Sequence, residues 1–103
     1  MRNTGGVSER DMTIPALQLM KQRGGFISMP DLRQELERIF QPTGKDAEIN
    51  PIRGDTYFSQ KVRNIVSHKA TAGNIIHDGY AEHVTNGIRI TDAGVAHLAS
   101  REL

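Results

Sequence analysis

The fold of this chain is decided by residues 80–91, which read Tyr80-Ala81-Glu82-His83-Val84-Thr85-Asn86-Gly87-Ile88-Arg89-Ile90-Thr91. Two short runs in which apolar and polar residues alternate flank Asn86-Gly87. Asn-Gly is a strong hairpin signal because both residues accept a positive φ. The stretch therefore predicts a β-hairpin with its turn at Thr85-Asn86-Gly87.

Helices are predicted for four segments around this hairpin, because their apolar residues recur at spacings of three and four. The predicted apolar faces are Ile14, Leu17 and Met20; Leu32, Leu36, Ile39 and Phe40; Phe58, Val62, Ile65 and Val66; and Ala93, Val95, Ala96 and Leu98. The predicted N-caps are Thr13, Ser28, Asp55 or Thr56, and Thr91 or Asp92. Phe26-Ile27 predicts a short strand, and residues 41–54 predict a loop.

The predicted order of elements is helix, short strand, helix, helix, hairpin and helix, which is that of a winged helix-turn-helix domain. We therefore expect an α+β fold with a three-helix core, a short β-hairpin wing and a carboxy-terminal helix. This domain is expected over residues 11–103, behind a flexible lead over residues 1–10. An α+β domain that uses the same order for protein binding is the alternative.

Length and composition restrict the class of protein. The chain has 103 residues, of which 37% are hydrophobic and 24% are charged, and this is typical of one folded domain. Its net charge is only +1, so the total charge does not indicate nucleic acid. No cysteine is present, which excludes disulfides, thiolate metal sites and cysteine nucleophiles. The apolar stretches are far shorter than the roughly 20 residues that span a bilayer, so we expect a soluble cytoplasmic protein.

The distribution of charge is more informative than its sum. The segment of the third predicted helix has one acid, Asp55, and four bases, Arg53, Lys61, Arg63 and Lys69, which leaves 4 − 1 = +3. Such a segment can contact several phosphates. Its polar face carries Gln60, Arg63 and Asn64, whose side-chain types make bidentate contacts to base edges. We expect the helix over residues 56–68 to enter the major groove of double-stranded DNA, whereas a merely solvated helix face is the competing interpretation.

Two runs carry a family resemblance. Arg53-Gly54-Asp55-Thr56-Tyr57-Phe58-Ser59-Gln60-Lys61-Val62, followed by Gly87-Ile88-Arg89-Ile90-Thr91-Asp92-Ala93-Gly94, resembles the N-terminal winged-helix domain of Mrr-like restriction endonucleases. The resemblance covers about residues 12–100 and places Arg53, Thr56, Gln60 and Lys61 at the start of the DNA-facing helix. The chain departs from the family in having Gln60-Lys61 in place of Asn-Arg, and in an excess over residues 68–74.

The resemblance implies the DNA-recognition module of a restriction or defence nuclease, in which a modified base could be sensed and whose catalytic domain lies outside this chain. Together with the charge pattern, it yields one set of expected DNA contacts: Arg53, Thr56, Tyr57, Ser59, Gln60, Lys61, Arg63, Asn64, His68, Lys69 and Arg89. A pocket for a flipped base would need a stacking aromatic ring, for which Tyr57 and Tyr80 are the candidates.

Enzymatic activity is not expected of this chain. A metal-dependent nuclease needs an acid followed by an acid-x-Lys pair, and no predicted strand carries one. His68, His77, His83 and His97 lack the close spacing of a zinc site, so we expect no metal and no cofactor. Two other functions remain open. A stand-alone transcriptional regulator would dimerise to read two half-sites, and a protein-binding winged helix would expose an apolar patch in place of a basic face.

Overall fold

The β-hairpin joins a third strand to form a small antiparallel sheet, which together with four α-helices makes an α+β arrangement. The computed structural model describes residues 6–101, and all statements below refer to them. The elements are α1 (Thr13–Gln22), β1 (Phe26–Ser28), α2 (Met29–Phe40), α3 (Tyr57–Ser67), β2 (Ala81–Val84), β3 (Gly87–Ile90) and α4 (Asp92–Arg101), with 3-10 helices at Arg10–Met12 and Gly44–Ala47. The predicted order of helices and strands is confirmed. None of the helices within residues 6–101 is both long and apolar enough to cross a bilayer.

The sheet has the strand order β1-β3-β2, so the last strand of the hairpin lies in the middle. Ile27 of β1 and His83 of β2 both pair with Ile88 of β3. Ile27 and Ile88 are buried, whereas His83 is exposed. The short strand before α2 therefore extends the hairpin to three strands and contributes Ile27 to the core.

The hairpin turn differs from the prediction by one residue. Only Thr85 and Asn86 lie between the strands, and Asn86 alone has a positive φ, of 65°. The expectation of a positive φ at Gly87 was wrong, because Gly87 already belongs to β3 and pairs with Ser28. Position 87 requires a glycine because a Cβ there would collide with the carbonyl oxygen of Ile27.

The core is one apolar cluster to which every helix contributes. Its largest fully buried side chains are Met12, Leu17, Met20, Ile27, Leu32, Leu36, Phe58, Val62, Ile88 and Leu98. The predicted faces of α1 and α3 are confirmed in outline, but Ile39 of α2 is exposed. In α4 the prediction was largely wrong, since Ala93, Val95 and Ala96 are exposed and only Gly94 and Leu98 are buried.

Side-chain caps fix the starts of three helices. Ser28, Thr56 and Thr91 each accept a hydrogen bond from the backbone N–H three residues later, at 3.2, 3.0 and 3.0 Å. Each hydroxyl satisfies one of the amides that a helix start leaves unpaired. Thr13 was wrongly predicted as a cap, because the 3-10 helix Arg10–Met12 continues directly into α1 and leaves Met12 at the cap position.

Candidate nucleic-acid interface

The side of α3 that faces away from the core carries three of the predicted DNA-contacting residues. Phe58, Val62 and Ile65 are buried, whereas Gln60, Arg63 and Asn64 are partly exposed. Successive helical residues are separated by about 100°, which places the two sets on different sides of the helix. Ser59 is only 4% exposed, so this residue does not belong to the outer surface where the sequence placed it.

A tight loop of residues 49–56 precedes α3 and lies against its outer side. Ile49 and Thr56 form an antiparallel bridge that closes the loop. Inside it, the N–H of Asn50 donates to the carbonyl oxygen of Asp55 at 2.7 Å, and the carbonyl oxygen of Asn50 accepts from Arg53 and Gly54 at 3.1 and 2.8 Å. The sequence predicted a loop here but did not predict that it is closed by its own hydrogen bonds.

Gln60, which was predicted to contact base edges, forms a hydrogen bond with this loop. The side-chain N–H of Asn50 donates to Oε1 of Gln60 at 2.9 Å. That contact leaves the amide nitrogen of Gln60 as a donor for another partner. Two amide side chains therefore lie side by side on the outer surface, and both are of the type that forms paired hydrogen bonds with adenine.

Arg63 lies on the same surface and is paired with Asp55 by two hydrogen bonds. Nη1 contacts Oδ2, and Nη2 contacts Oδ1 at 3.2 Å. The hydrogen bond from Arg63 lowers the pKa of Asp55, with smaller contributions from the charges of Arg63 and Arg53, and the pair raises the pKa of Arg63. Both side chains remain partly exposed to solvent. The pairing reduces the positive charge that the sequence predicted for this segment.

Lys61 is held in a second pair, of a different kind. Its Nζ lies 2.7 Å from Oδ1 of Asp46 and 2.7 Å from the carbonyl oxygen of Val7. The other carboxylate oxygen of Asp46 accepts from the N–H of Val7 at 2.8 Å. The Asp46 side chain is 4% exposed and that of Lys61 is 31% exposed. Lys61 thus joins α3 to the 3-10 helix Gly44–Ala47 and to the chain ahead of α1.

Residues 6–10 belong to the lead that the sequence predicted as flexible, and they are bonded to α3 at two places. One is the Val7 contact with Lys61, and the other is Glu9, whose carboxylate lies 3.0 Å from Nδ1 of His68. The remaining part of that lead, residues 1–5, lies outside the described residues. The sequence of the lead has no hydrophobic period, and polar contacts of this kind need none.

The segment 68–74, which the sequence treated as an excess, closes the carboxyl end of α3. Asn74 is buried, and its side-chain N–H donates to the carbonyl oxygen of Ile65 at 2.8 Å and to Glu9 at 3.0 Å. Its Oδ1 accepts from the backbone N–H groups of Ile76 and His77. Asn74 therefore satisfies one of the carbonyl groups that the helix end leaves unpaired.

The remaining predicted cations differ in how freely they can bind. Arg53 and Lys69 are exposed, and neither takes part in a salt bridge within residues 6–101. Arg89 of β3 pairs with Glu82 of β2 at 2.6 Å, and both side chains are more than half exposed. These three residues, unlike Lys61, are accessible to a partner at the protein surface.

Both tyrosines that were candidates for stacking on a flipped base already have partners. The ammonium group of Lys45 lies 4.7 Å from the ring centre of Tyr57, which is a cation–π contact. Tyr80 stacks on His97 of α4, with ring centres 4.2 Å apart and planes 8° from parallel. One face of each ring is therefore already in contact with another side chain.

Within residues 6–101, no group of three or more His, Asp or Glu side chains is placed to hold a metal ion. Comparisons of the chain with protein-family models, with curated proteins and with solved structures found no match.

Proposed function

We propose that this chain is a winged-helix module that binds double-stranded DNA, with α3 in the major groove and the β2–β3 hairpin as the wing. The observation that carries the proposal is the surface formed by Asn50, Arg53, Gln60, Arg63 and Asn64, which we call the α3 face. It combines three amide side chains with two guanidinium groups on a partly exposed helix and its preceding loop. These are the side-chain types that bind adenine and guanine edges in the major groove.

The salt bridges divide the predicted contacts into two groups. Exposed ion pairs contribute only about 0–1 kcal/mol, so Arg63 and Arg89 can exchange their carboxylates for DNA at little cost. Lys61 cannot do so, because its departure would leave the buried carboxylate of Asp46 without a counter-charge. We therefore propose DNA contacts for Arg53, Gln60, Arg63, Asn64, Lys69 and Arg89. Thr56, Ser59, Lys61 and His68 support the fold around them.

We further propose that the module serves as the recognition part of a restriction or defence nuclease, with a modified base among its possible targets. The support for this context is the resemblance of residues 53–62 and 87–94 to the winged-helix domain of Mrr-like enzymes. A duplex series with modified and unmodified bases tests the modified-base target, for which we expect tighter binding to a modified duplex.

Equilibrium binding to duplex DNA at several salt concentrations tests the proposed function. Arg53, Arg63, Lys69 and Arg89 are the four cations accessible to DNA, so log K should fall with log salt at a slope no steeper than about −3.6. Replacing Lys69 by Ala should make that slope smaller by about 1. Lys21→Ala is the matched control, since Lys21 is an exposed lysine beside Leu98 of α4.

The control residue decides how the result is interpreted. The Lys21→Ala protein should bind with the affinity and salt slope of the unchanged protein, because its charge lies away from α3. Equal effects of the two lysine substitutions would indicate a diffuse charge effect and contradict the proposed interface. Absence of binding to every duplex at low salt would refute the function itself.

A further inference from the structure

One side chain of the loop before α3 has no role in the fold. Ile52, at the tip of residues 49–56, is 90% exposed, which is the largest exposure of any large hydrophobic residue among those described. Ile49, at the base of the same loop, is 58% exposed. A nearly fully exposed isoleucine contributes nothing to the buried apolar area that stabilises a domain. Its presence at a projecting tip is better explained by a partner.

The tip is held rigidly in place. Asn50 uses all four of its polar groups: its N–H and its carbonyl oxygen close the loop, its Oδ1 accepts from the N–H of Ile52 at 3.0 Å, and its side-chain N–H binds Gln60. Pro51 restricts φ on one side of Ile52, and Gly54 supplies a φ of 82° on the other. A loop backbone fixed in this way loses little conformational entropy on binding.

The anchors of the loop place this tip next to the α3 face. Asn50, two residues before Ile52, is bonded to Gln60, and Asp55, three residues after it, is bonded to Arg63. A chain spans at most about 3.6 Å per residue, so the tip lies within roughly 10 Å of both anchor points. Ile52 therefore lies beside the surface proposed to contact DNA.

The charge at the tip favours DNA over a protein as the occupant. Arg53 follows Ile52 directly, is exposed and makes no salt bridge within the described residues. The nearest acid in the loop, Asp55, is neutralised by Arg63. An apolar side chain next to a free arginine matches a base step next to a phosphate. Proteins that bind the minor groove insert Ile, Leu or Pro between bases, and Ile52 offers the same apolar chemistry beside the helix proposed for the major groove.

We propose that Ile52 is a wedge that enters the base stack of the bound duplex, with Arg53 holding an adjacent phosphate. This inference rests on the proposed function, because it requires that the α3 face binds DNA. It adds that binding unstacks one base step, so that the protein distorts its DNA and recognises how easily a step opens. Steps that unstack readily, such as TA and CA, then become favoured sites.

Duplexes of one sequence, with and without a single central abasic site, test the wedge. The missing base provides a gap that is already unstacked, so the unchanged protein should bind the abasic duplex at least tenfold more tightly. The Ile52→Ser protein should bind both duplexes equally, and its affinity for the intact duplex should stay within about tenfold of the unchanged protein. Permanganate reactivity of thymines in the intact duplex gives a second readout, since unstacked thymines should become reactive only when Ile52 is present.

Ile49→Ser is the matched control, because it removes the same side chain from the base of the same loop. This protein should retain the preference for the abasic duplex, and both variants should unfold at the temperature of the unchanged protein because the two side chains are exposed. Equal binding of both duplexes by the unchanged protein, or a preference that survives Ile52→Ser, would overturn the wedge and leave DNA binding intact. If the unchanged protein bound neither duplex, the proposed function would fail and the wedge with it.

Discussion

We expect Lys61 to stabilise the fold and not to bind DNA. Replacing Lys61 with Met tests this, because the two roles predict different changes in stability and in salt dependence. The substitution keeps most of the aliphatic stem but leaves Asp46, 4% exposed, with only the Val7 N–H as partner. Removing one member of a buried ion pair destabilises a protein by about 3–5 kcal/mol. Lys61 is 31% exposed, so we expect the lower end, about 3 kcal/mol. In a domain of this size, that lowers the midpoint of thermal unfolding by about 12–24 °C.

The assay is thermal and urea unfolding followed by circular dichroism, combined with DNA binding at a temperature where the variant is folded. Lys61→Met should bind duplex DNA with an unchanged salt slope. Adding Asp46→Asn should restore at least half of the lost stability, because a neutral amide can be buried and still accept from Val7. A Lys61→Met protein within about 0.5 kcal/mol of the original stability, whose salt slope is smaller by about 1, would refute this reasoning and make Lys61 a phosphate contact.

Three further predictions concern the fold and the ion pair at the α3 face. Thr56→Ala removes the N-cap of α3 and should destabilise the domain by about 1 kcal/mol in urea unfolding, whereas Thr56→Ser should not. Gly94→Ala places a methyl group against the carbonyl oxygen of Tyr80 and should destabilise it by about 1–3 kcal/mol, which an unchanged unfolding midpoint would contradict. Because Arg63 lowers the pKa of Asp55, NMR titration should give a midpoint below the usual value of about 3.9, and Arg63→Gln should raise it. The pair therefore stabilises the fold above pH 4 and ceases to do so as the pH falls through the folded-state pKa of Asp55.

Local patterns in the sequence predicted most of the fold because they reflect local physics. The alternation of apolar and polar residues around Asn86 follows the period of a strand. The spacing of Phe58, Val62 and Ile65 follows the period of a helix. The errors occur where distant parts of the chain decide the outcome. Gly87 is a glycine because β1 packs against it, and the exposure of Val95 depends on how α4 lies against the rest of the fold. Neither neighbour is visible from the local sequence.

The candidate site was predicted less completely than the fold. The sequence identified Gln60 and Arg63 as polar residues on one side of α3, and both lie on its outer surface. It did not identify their partners, since a count of charges does not specify which charges meet. Asp46 is the clearest case, because an aspartate in a polar loop predicts an exposed side chain and this one is buried beneath Lys61. Asn50 and Ile52 were overlooked because a loop sequence carries no period.

The pairing of Arg63 with Asp55 changes what kind of DNA binding the α3 face can support. A free arginine binds any phosphate, whereas Arg63 must first leave two hydrogen bonds to a carboxylate. A single phosphate offers little advantage over that carboxylate, but the two acceptors of a guanine offer paired hydrogen bonds in a defined position. Non-specific DNA should therefore be bound more weakly than a count of four cations predicts, while a matching site keeps its affinity. Specificity is a difference between affinities, so an internal acid can increase it by weakening the competing contacts. Replacing Asp55 with Asn should accordingly strengthen binding to random duplexes more than binding to a selected site.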